Sequence, residues 1–438
     1  MRTRVVARWH GRLRELKALA AAESWGRLLY AASGLSSEER RVAQALVACR
    51  RASGPAARAA LRRIVAPYFG GAKADFCRSR KIGWARYYSD FDLKSPELTS
   101  SLMLKAPGPN GEKGVLYSAF EYNLMRLIAH SDARRVLQEY LVICASSWSP
   151  TDFAIMANFA GLSDDPLFVG ISNVADFEAY DIASPTVRAM PLLASDWIDP
   201  LFYAPKPHSE RTVDFLMVAN FSRFKRHWLL FKALPRMSPN IRVAILGMAT
   251  ADRTADTLRG EARAFGVKQD LDIRTNVSIE EVAAYQANSR VSLLLSRREG
   301  SCVATAESLF ADSPVAMMRD AHIGSKSYIN ADTGTLLDYR DVPQQLEALL
   351  ERSGSFRARA WAIANISASK SSARLNQIFK DHAAETGRPW TQDLAPMCWR
   401  YVPRYLRPED GARLRPAIDD LERRHRVKLK EFAYLPTG

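Results

Sequence analysis

The chain is poor in cysteine and histidine and has no long apolar run. Its five cysteines (Cys49, Cys77, Cys144, Cys302, Cys398) are scattered over 438 residues without CxxC spacing. An odd, dispersed set of this kind speaks against a disulfide framework or a zinc site and suits a reducing cytosol. No stretch approaches the ~18 consecutive apolar residues of a membrane-spanning helix. The N-terminus is basic but lacks an apolar core with a small-residue cleavage site, so no signal peptide is read there. Internal repeats and low-complexity segments are absent too.

What is present is length, ordinary globular composition and an uneven charge. At 438 residues, with 47% hydrophobic and 25% charged residues, two domains with extensions are expected. The formal net charge is +15, and residues 1–80 carry 17 Lys and Arg against 5 Asp and Glu. The excess therefore sits in a basic N-terminal extension, residues 1–71, of helical pattern. That extension reads either as helices packed on the body or as a basic face for an anionic membrane surface, with Trp9, Trp25 and Leu28 on its buried side. No RNP-like or zinc-finger motif points to nucleic acid.

Residues 72–206 alternate short apolar runs with helical patterns, which predicts a Rossmann-like domain with a parallel sheet covered on both faces. The runs are Ser101–Leu104, Gly114–Ser118, Tyr140–Cys144, Leu167–Ile171 and Val187–Leu193. The polar, proline-containing Lys206–Arg211 reads as an interdomain linker. Residues 212–355 form a second, more regular unit, with strands at Val213–Ala219, Arg242–Leu246, Leu271–Arg274, Val291–Leu295 and Val315–Met318. This is the pattern of a doubly wound nucleotide-binding domain, whose ligand belongs at the loops after Ala219, Leu246, Arg274 and Leu295. Residues 356–438 read as helices, including Phe356–Ala383, and a basic aromatic tail around Trp399–Leu406. The fold class expected is thus α/β, with two doubly wound domains facing a cleft and helical N- and C-terminal extensions.

The stretch richest in chemistry is Ser296-Arg297-Arg298-Glu299-Gly300-Ser301-Cys302-Val303, with Glu307 one helical turn on. An apolar strand runs into a small-residue loop and then into a helix, which offers backbone N–H groups of Gly300, Ser301 and Cys302 to a phosphate. Lys225, in the loop after Ala219, can add a point charge. Cys302 reads as a small N–H-bearing position, not a nucleophile. Two plainer readings stand beside these: Glu307 paired with an arginine, and Lys225 as one charge in a solvated run with Arg223 and Arg226.

In order and spacing these features resemble the C-terminal half of the family-4 retaining glycosyltransferases, which have the GT-B fold. Val218-Ala219-Asn220-Phe221 through Lys225 is similar to the family's first strand and loop, with Asn220 where the family has arginine. Ile245-Leu246-Gly247 resembles its second strand and turn. Ser296, Glu299, Gly300 and Glu307 resemble its paired-glutamate motif, Ser313-Pro314-Val315 the strand that follows, and Thr333–Leu337 its late glycine turn. The likeness spans about residues 212–350.

The resemblance implies a hexosyltransferase-type, retaining enzyme using a UDP- or GDP-sugar, with a glycan or lipid-linked acceptor and no metal or cofactor. No DxD pair falls at a strand end. It gives Glu299 the donor sugar's hydroxyls and Glu307 the nucleotide ribose, while Asn276, after the third strand, is a candidate for the base. Losing the arginine at Asn220 removes one diphosphate contact, which Arg223 is a candidate to replace. On the acceptor side the candidates are His130, which the family's usual histidine suggests, with Ser172, Asn173 and Asp196. The arginine- and alanine-rich composition suggests a bacterial protein, cytoplasmic or peripheral at the inner face of the plasma membrane. The competing readings are a GT-B-like binding or scaffold protein with impaired catalysis, favoured by Asn220, and another nucleotide-sugar enzyme of that superfamily.

Overall fold

The computed structural model describes residues 94–148, 153–159, 161–183, 185–400 and 402–430, with short pieces before residue 94, residues 37–42 and 66–69 among them. The basic extension read at 1–71 therefore lies almost wholly outside the described residues. The chain is an α/β protein that divides into two compact units, one of Ile198–Ser367 and one built from the chain on either side of it.

The flanking unit begins with a short strand β1 (Glu97–Thr99) and a five-stranded sheet, β2 (Ser101–Lys105), β3 (Gly114–Ala119), β4 (Tyr140–Ala145), β5 (Leu167–Gly170) and β6 (Val187–Met190), in that order across the sheet. The β2–β3 pair is antiparallel, joined by the Pro107–Gly111 turn, and the remaining pairs are parallel. The turn closes with Asn110 and Gly111 both left-handed (φ 57° and 78°). Strand order follows the chain without reversal among the described residues, so the Rossmann likeness of this unit lies in its parallel strands and helical crossovers. The crossovers include α1 (Tyr122–His130), α2 (Ala133–Glu139) and α3 (Phe153–Phe159). The helix expected over 122–137 breaks at Ser131, where Asp132 caps α2 by accepting from Arg135 N at 3.2 Å.

The central unit is one parallel sheet of β7 (Val213–Val218), β8 (Arg242–Gly247), β9 (Asp270–Thr275), β10 (Ser289–Leu294), β11 (Val315–Met318) and β12 (Gly334–Leu337). Their order is β12-β11-β10-β7-β8-β9. The chain winds outward from β7 to β9, returns, and winds the other way from β10 to β12. This is the doubly wound order, and it reverses between β7 and β10. Between the strands run α4 (His227–Ala233), α5 (Ala255–Phe265), α6 (Ile279–Ala287) and α7 (Val303–Phe310), followed by α8 (Val342–Glu351) and α9 (Ala358–Ile366). Helix α5 starts at a Thr254–Thr257 capping box and stops at Gly266 in the left-handed region, φ 81°. Phe215, Met217, Phe231, Val291, Leu309 and Phe310 are fully buried. At roughly 1.5–3 kcal/mol per large apolar side chain, this core fixes the sheet and hence the loops at its carboxyl edge.

The expected linker is not one. Arg211 is buried, donating to Ser289 O (3.0 Å) and Asp312 O (2.7 Å), and His208 bonds Ser353 at 2.8 Å. Segment 206–211 is anchored to the central unit by these two side chains, while Lys206, Pro207, Ser209 and Glu210 stay exposed. The chain changes unit at Trp197/Ile198 and returns at Ser367/Ala368, where Ile198 and Ser367 form a parallel bridge.

The segment read as one C-terminal piece from 356 is accordingly divided. The helix expected over 356–383 breaks at Ser367 into α9 and α10 (Ala368–Glu385). Helix α10 packs on the flanking unit's sheet, with Phe379 against Phe168 at 4.4 Å between ring centres. The basic aromatic tail is in part a hairpin, β13 (Met397–Arg400) and β14 (Val402–Tyr405). Helix α11 (Pro408–His425) and β15 (Lys428–Lys430) follow, β15 pairing in parallel with β1.

Candidate functional site

Two loops flank the reversal of strand order, one after β7 and one after β10. In the first, Asn220 is exposed and its Oδ1 accepts from Ser222 N at 3.2 Å, an Asx turn that starts the loop. Phe221 is buried; its N–H donates to Met248 O (2.9 Å) and its carbonyl accepts from Arg253 Nε (2.5 Å). Gly247 allows this crowding, since a Cβ there would lie 2.0 Å from Ala219 O. A 3-10 turn over Arg223–Lys225 then leads to Arg226, left-handed at φ 62°, and into α4.

In the second loop four successive backbone contacts go to the segment after β11. His322 N donates to Arg297 O (2.7 Å), Glu299 N to His322 O (3.2 Å), Gly324 N to Gly300 O (2.8 Å) and Ser325 N to Ser301 O (3.1 Å). The loop is clamped along its length. Its left-handed residue is Cys302 (φ 58°), which caps α7, and not Gly300. The N–H groups of Gly300 and Cys302 donate to no acceptor among the described residues.

The two loops meet in one ion pair. Lys225 Nζ lies 2.6 Å from Glu299 Oε2, and the side chains are only 12% and 7% exposed. Glu299 Oε1 is buried with no partner. Burial alone would lower the Lys225 ammonium, but Cys302 and Glu299 outweigh it and the net shift is upward. The Cys302 thiol is pushed up to about 12 by burial and by the Glu299 charge, so it is a poor nucleophile at neutral pH. Lys225 is therefore no member of a solvated run. Arg223 is: its guanidinium points to Asp252 at 3.4 Å, both side chains about 60% exposed, and it supplies nothing to the pair.

The other donor-side candidates lie apart from the pair. Glu307 forms no ion pair among the described residues. Its Oε2 accepts from Gln286 Nε2 at 3.3 Å, Tyr203 also bonds it, and burial raises its carboxyl above the usual range. Asn276 is exposed and left-handed (φ 56°), donating its N–H to Gly247 O at the end of β8. No group of three His, Cys, Asp or Glu side chains placed to hold a metal occurs among the described residues.

In the flanking unit, Ser172 and Asn173 lie just past β5 and are buried. The Ser172 hydroxyl donates to Trp148 O (2.5 Å), and Asn173 Oδ1 accepts from Ala175 N (3.0 Å). Beside them at the carboxyl edge is Glu121, missed in the sequence, which accepts from Ser146 Oγ, Ser147 N and Ser147 Oγ at 3.0, 3.0 and 2.6 Å. His130 closes α1, roughly 13 Å along the helix axis from that edge at ~1.5 Å per residue. It is placed away from those loops. Asp196 accepts from Leu193 N at 2.8 Å and closes its own turn.

Sequence reasoning missed Arg226, the clamp at 322–325, and the Gln286 and Tyr203 partners of Glu307. The small residues after β11, Ala321 and Gly324, were the one available hint of the clamp.

Residues 202–353 match the family model described as glycosyl transferases group 1. The match takes in the whole central sheet, both loops and the ion pair. Comparison with curated proteins finds no match. Among solved structures, sucrose-phosphate synthase from Thermosynechococcus elongatus is 14% identical over 62% of this chain and 74% of that one, with a TM-score of 0.48. The HepE protein of Anabaena, solved with UDP, is 13% identical over 62% and 78%, with a TM-score of 0.49. The pneumococcal O-GlcNAc transferase GtfA, solved with UDP and GlcNAc, is 14% identical over 59% and 55%, with a TM-score of 0.42. Likenesses this distant say nothing of the substrate.

Proposed function

We propose that the protein is a retaining glycosyltransferase that moves a sugar from a UDP- or GDP-sugar to a glycan or lipid-linked acceptor without a metal. The observation that carries the proposal is the Lys225–Glu299 pair at the strand-order reversal, inside the segment matching the group 1 family model. In such a transfer the bond from the sugar's C1 to the diphosphate oxygen breaks and the electron pair leaves on the diphosphate. The acceptor oxygen bonds C1 and gives up its proton to the departing diphosphate oxygen. Charge grows on the diphosphate, where a fixed ammonium and preset N–H groups are worth most. Lys225 and the N–H groups of Gly300 and Cys302 supply these, with Ser301 completing the loop. Glu299 spends one oxygen on Lys225 and has the other without a partner, which suits a carboxylate that accepts from a sugar hydroxyl. Glu307 is assigned to the ribose and Asn276 to the base. The acceptor belongs at the carboxyl edge of the flanking unit's sheet, near Ser172, Asn173 and Glu121.

A second reading keeps the fold and drops catalysis. It is favoured by Asn220, whose side chain is committed to its own turn and brings no charge to the loop. Donor hydrolysis with a panel of UDP- and GDP-sugars separates the two. Turnover in the wild type that disappears in Glu299→Ala supports transfer. Nucleotide binding without turnover for any donor supports the binding protein and sinks the first reading. Localisation at an anionic membrane through residues 1–70 is tested by liposome flotation with and without that segment, and equal flotation overturns it.

A further inference from the structure

We propose that Arg226 is the positioning residue of the Lys225–Glu299 pair, a buried guanidinium that ties the loop after β7 to the end of β10. Arg226 is 1% exposed and is among the largest fully buried side chains in the described structure. Its Nη1 donates to Leu295 O at 3.3 Å and its Nη2 to the Tyr339 hydroxyl at 2.6 Å. That hydroxyl donates in turn to Asp320 Oδ2 at 3.2 Å. The guanidinium also lies over the rings of Trp228 (5.4 Å) and Tyr339 (5.2 Å).

These contacts place it in a particular way. Arg226 directly follows Lys225, and Leu295 is the residue from which the Glu299 loop departs. One side chain thus holds both ends of the span across which the amine and the carboxylate must meet. Its backbone is left-handed (φ 62°), a conformation a glycine adopts without strain and an arginine does not. A buried charge on a strained backbone persists only where its surroundings over-determine it. Those surroundings include the Leu295 carbonyl, the Tyr339 hydroxyl and the rings of Tyr339 and Trp228. The tie is a matter of geometry alone. Its importance for donor binding rests on the function proposed above.

The test reads Lys225 directly. Competitive acylation of the full-length protein, followed by mass spectrometry, reports the reactivity of Lys225 against Lys232 and Lys326 in the same molecules. Arg226→Gly removes the guanidinium while relieving the backbone, and Arg226→Lys keeps a charge without the fork. If Arg226 positions the pair, Lys225 reactivity at pH 8 rises about tenfold in both variants, one pKa unit of lost pairing, with the reference lysines unchanged. Affinity for UDP or GDP by calorimetry falls in parallel. Unchanged Lys225 protection in a folded Arg226→Gly protein overturns the proposal, as does an equal rise at all three lysines, which marks general loosening. Should Arg226→Gly fail to fold, Tyr339→Phe decides by the same labelling: a rise at Lys225 alone supports the tie and no rise refutes it. If neither nucleotide binds the wild type, the proposed function fails while the labelling still decides the role of Arg226.

Discussion

Glu299→Gln should destabilise the central unit by about 3 kcal/mol, most of which a second substitution at Lys225 should restore. The wild-type pair is short (2.6 Å) and the side chains are 12% and 7% exposed. Removing one member of a buried pair typically costs ~3–5 kcal/mol, because the other charge is left in a poor solvent. The cost is bounded. From its usual value of 10.5, shedding the proton of Lys225 at pH 7 costs about 5 kcal/mol at ~1.4 kcal/mol per pH unit, so the stranded amine need not pay more than that. The residual exposure of Lys225 brings the figure toward the lower end.

Calorimetry should therefore show a loss of ~6–12 °C for Glu299→Gln, at ~2–4 °C per kcal/mol for a domain of this size. The double variant Lys225→Met/Glu299→Leu should return to within ~1 kcal/mol of wild type, since an apolar pair of similar volume has no charge to desolvate. Because the Lys225 ammonium is shifted upward on folding, its contribution is fully present below pH ~10.5 and is lost as pH rises through the folded value. In Glu299→Gln the unpaired amine is shifted downward instead, so its cost shrinks as pH rises toward ~10.5, and the gap to wild type should be widest near neutral pH and narrow steadily in alkali. A Glu299→Gln protein within ~0.5 kcal/mol of wild type, with a double variant that merely adds the single effects, would refute the buried pair.

Three further outcomes follow from the same loops. Cys302, with its thiol near 12, should be alkylated about a thousandfold more slowly at pH 8 than an ordinary thiol of pKa near 9, read by peptide mass spectrometry; alkylation at the ordinary rate contradicts it. Gly247→Ala drives a Cβ to within 2.0 Å of Ala219 O and should cost ~1–3 kcal/mol in urea unfolding, whereas a neutral result means that the ends of β7 and β8 lie further apart. Glu307 has a raised folded pKa, so the native state binds more protons than the unfolded chain between ~4.5 and the folded value, and stability falls as pH rises through that window. Glu307→Gln should thus gain on wild type from pH 4 to pH 7. The opposite trend would show a cation beside the carboxylate.

The sequence made the central sheet plain because each of its inner strands is buried on both faces and reads as an apolar run; Val315–Met318 is the strand whose bounds coincide with the reading. It hid β12, whose four residues begin with Gly334 and look like a turn, and the β13–β14 hairpin, whose Pro403 and arginines look like a tail. Nothing in composition separates a solvated linker from Lys206–Arg211, because only the fold supplies the carbonyls that bury Arg211. Lys225 and Glu299 were each singled out in the sequence, but their pairing was not, since it is made between loops 74 positions apart. Nor were the partners of Glu307, since Gln286 and Tyr203 come from distant segments. The clamp at 322–325 was silent for a different reason: it is made by main-chain groups, which every residue carries.

The order of strands explains why Lys225 and Glu299 can meet at all. In a sheet that winds outward in two directions, only the loops of the two innermost strands face one another without a crossover helix between them. β7 and β10 are those strands, and the 74 positions that separate Lys225 from Glu299 in sequence collapse to a hydrogen-bond distance. Topology brings the loops together but does not choose the residues. In the loop after β7, the first position carries no charge, because Asn220 closes a turn in solvent, and the cations sit at its end. Of these, Arg223 faces out to Asp252, Lys225 faces Glu299, and Arg226 goes under the loop to Leu295. Consecutive residues in a 3-10 turn leave about 120° apart, so Lys225 and Arg226 cannot share a direction unless the backbone is forced. Arg226, just past that turn, takes a left-handed step, and the two side chains end on different partners, Glu299 and Leu295 O. The charge that the loop lacks at its start is thus not simply displaced along the chain. One cation meets Glu299, and its neighbour bonds the end of the strand from which the Glu299 loop departs.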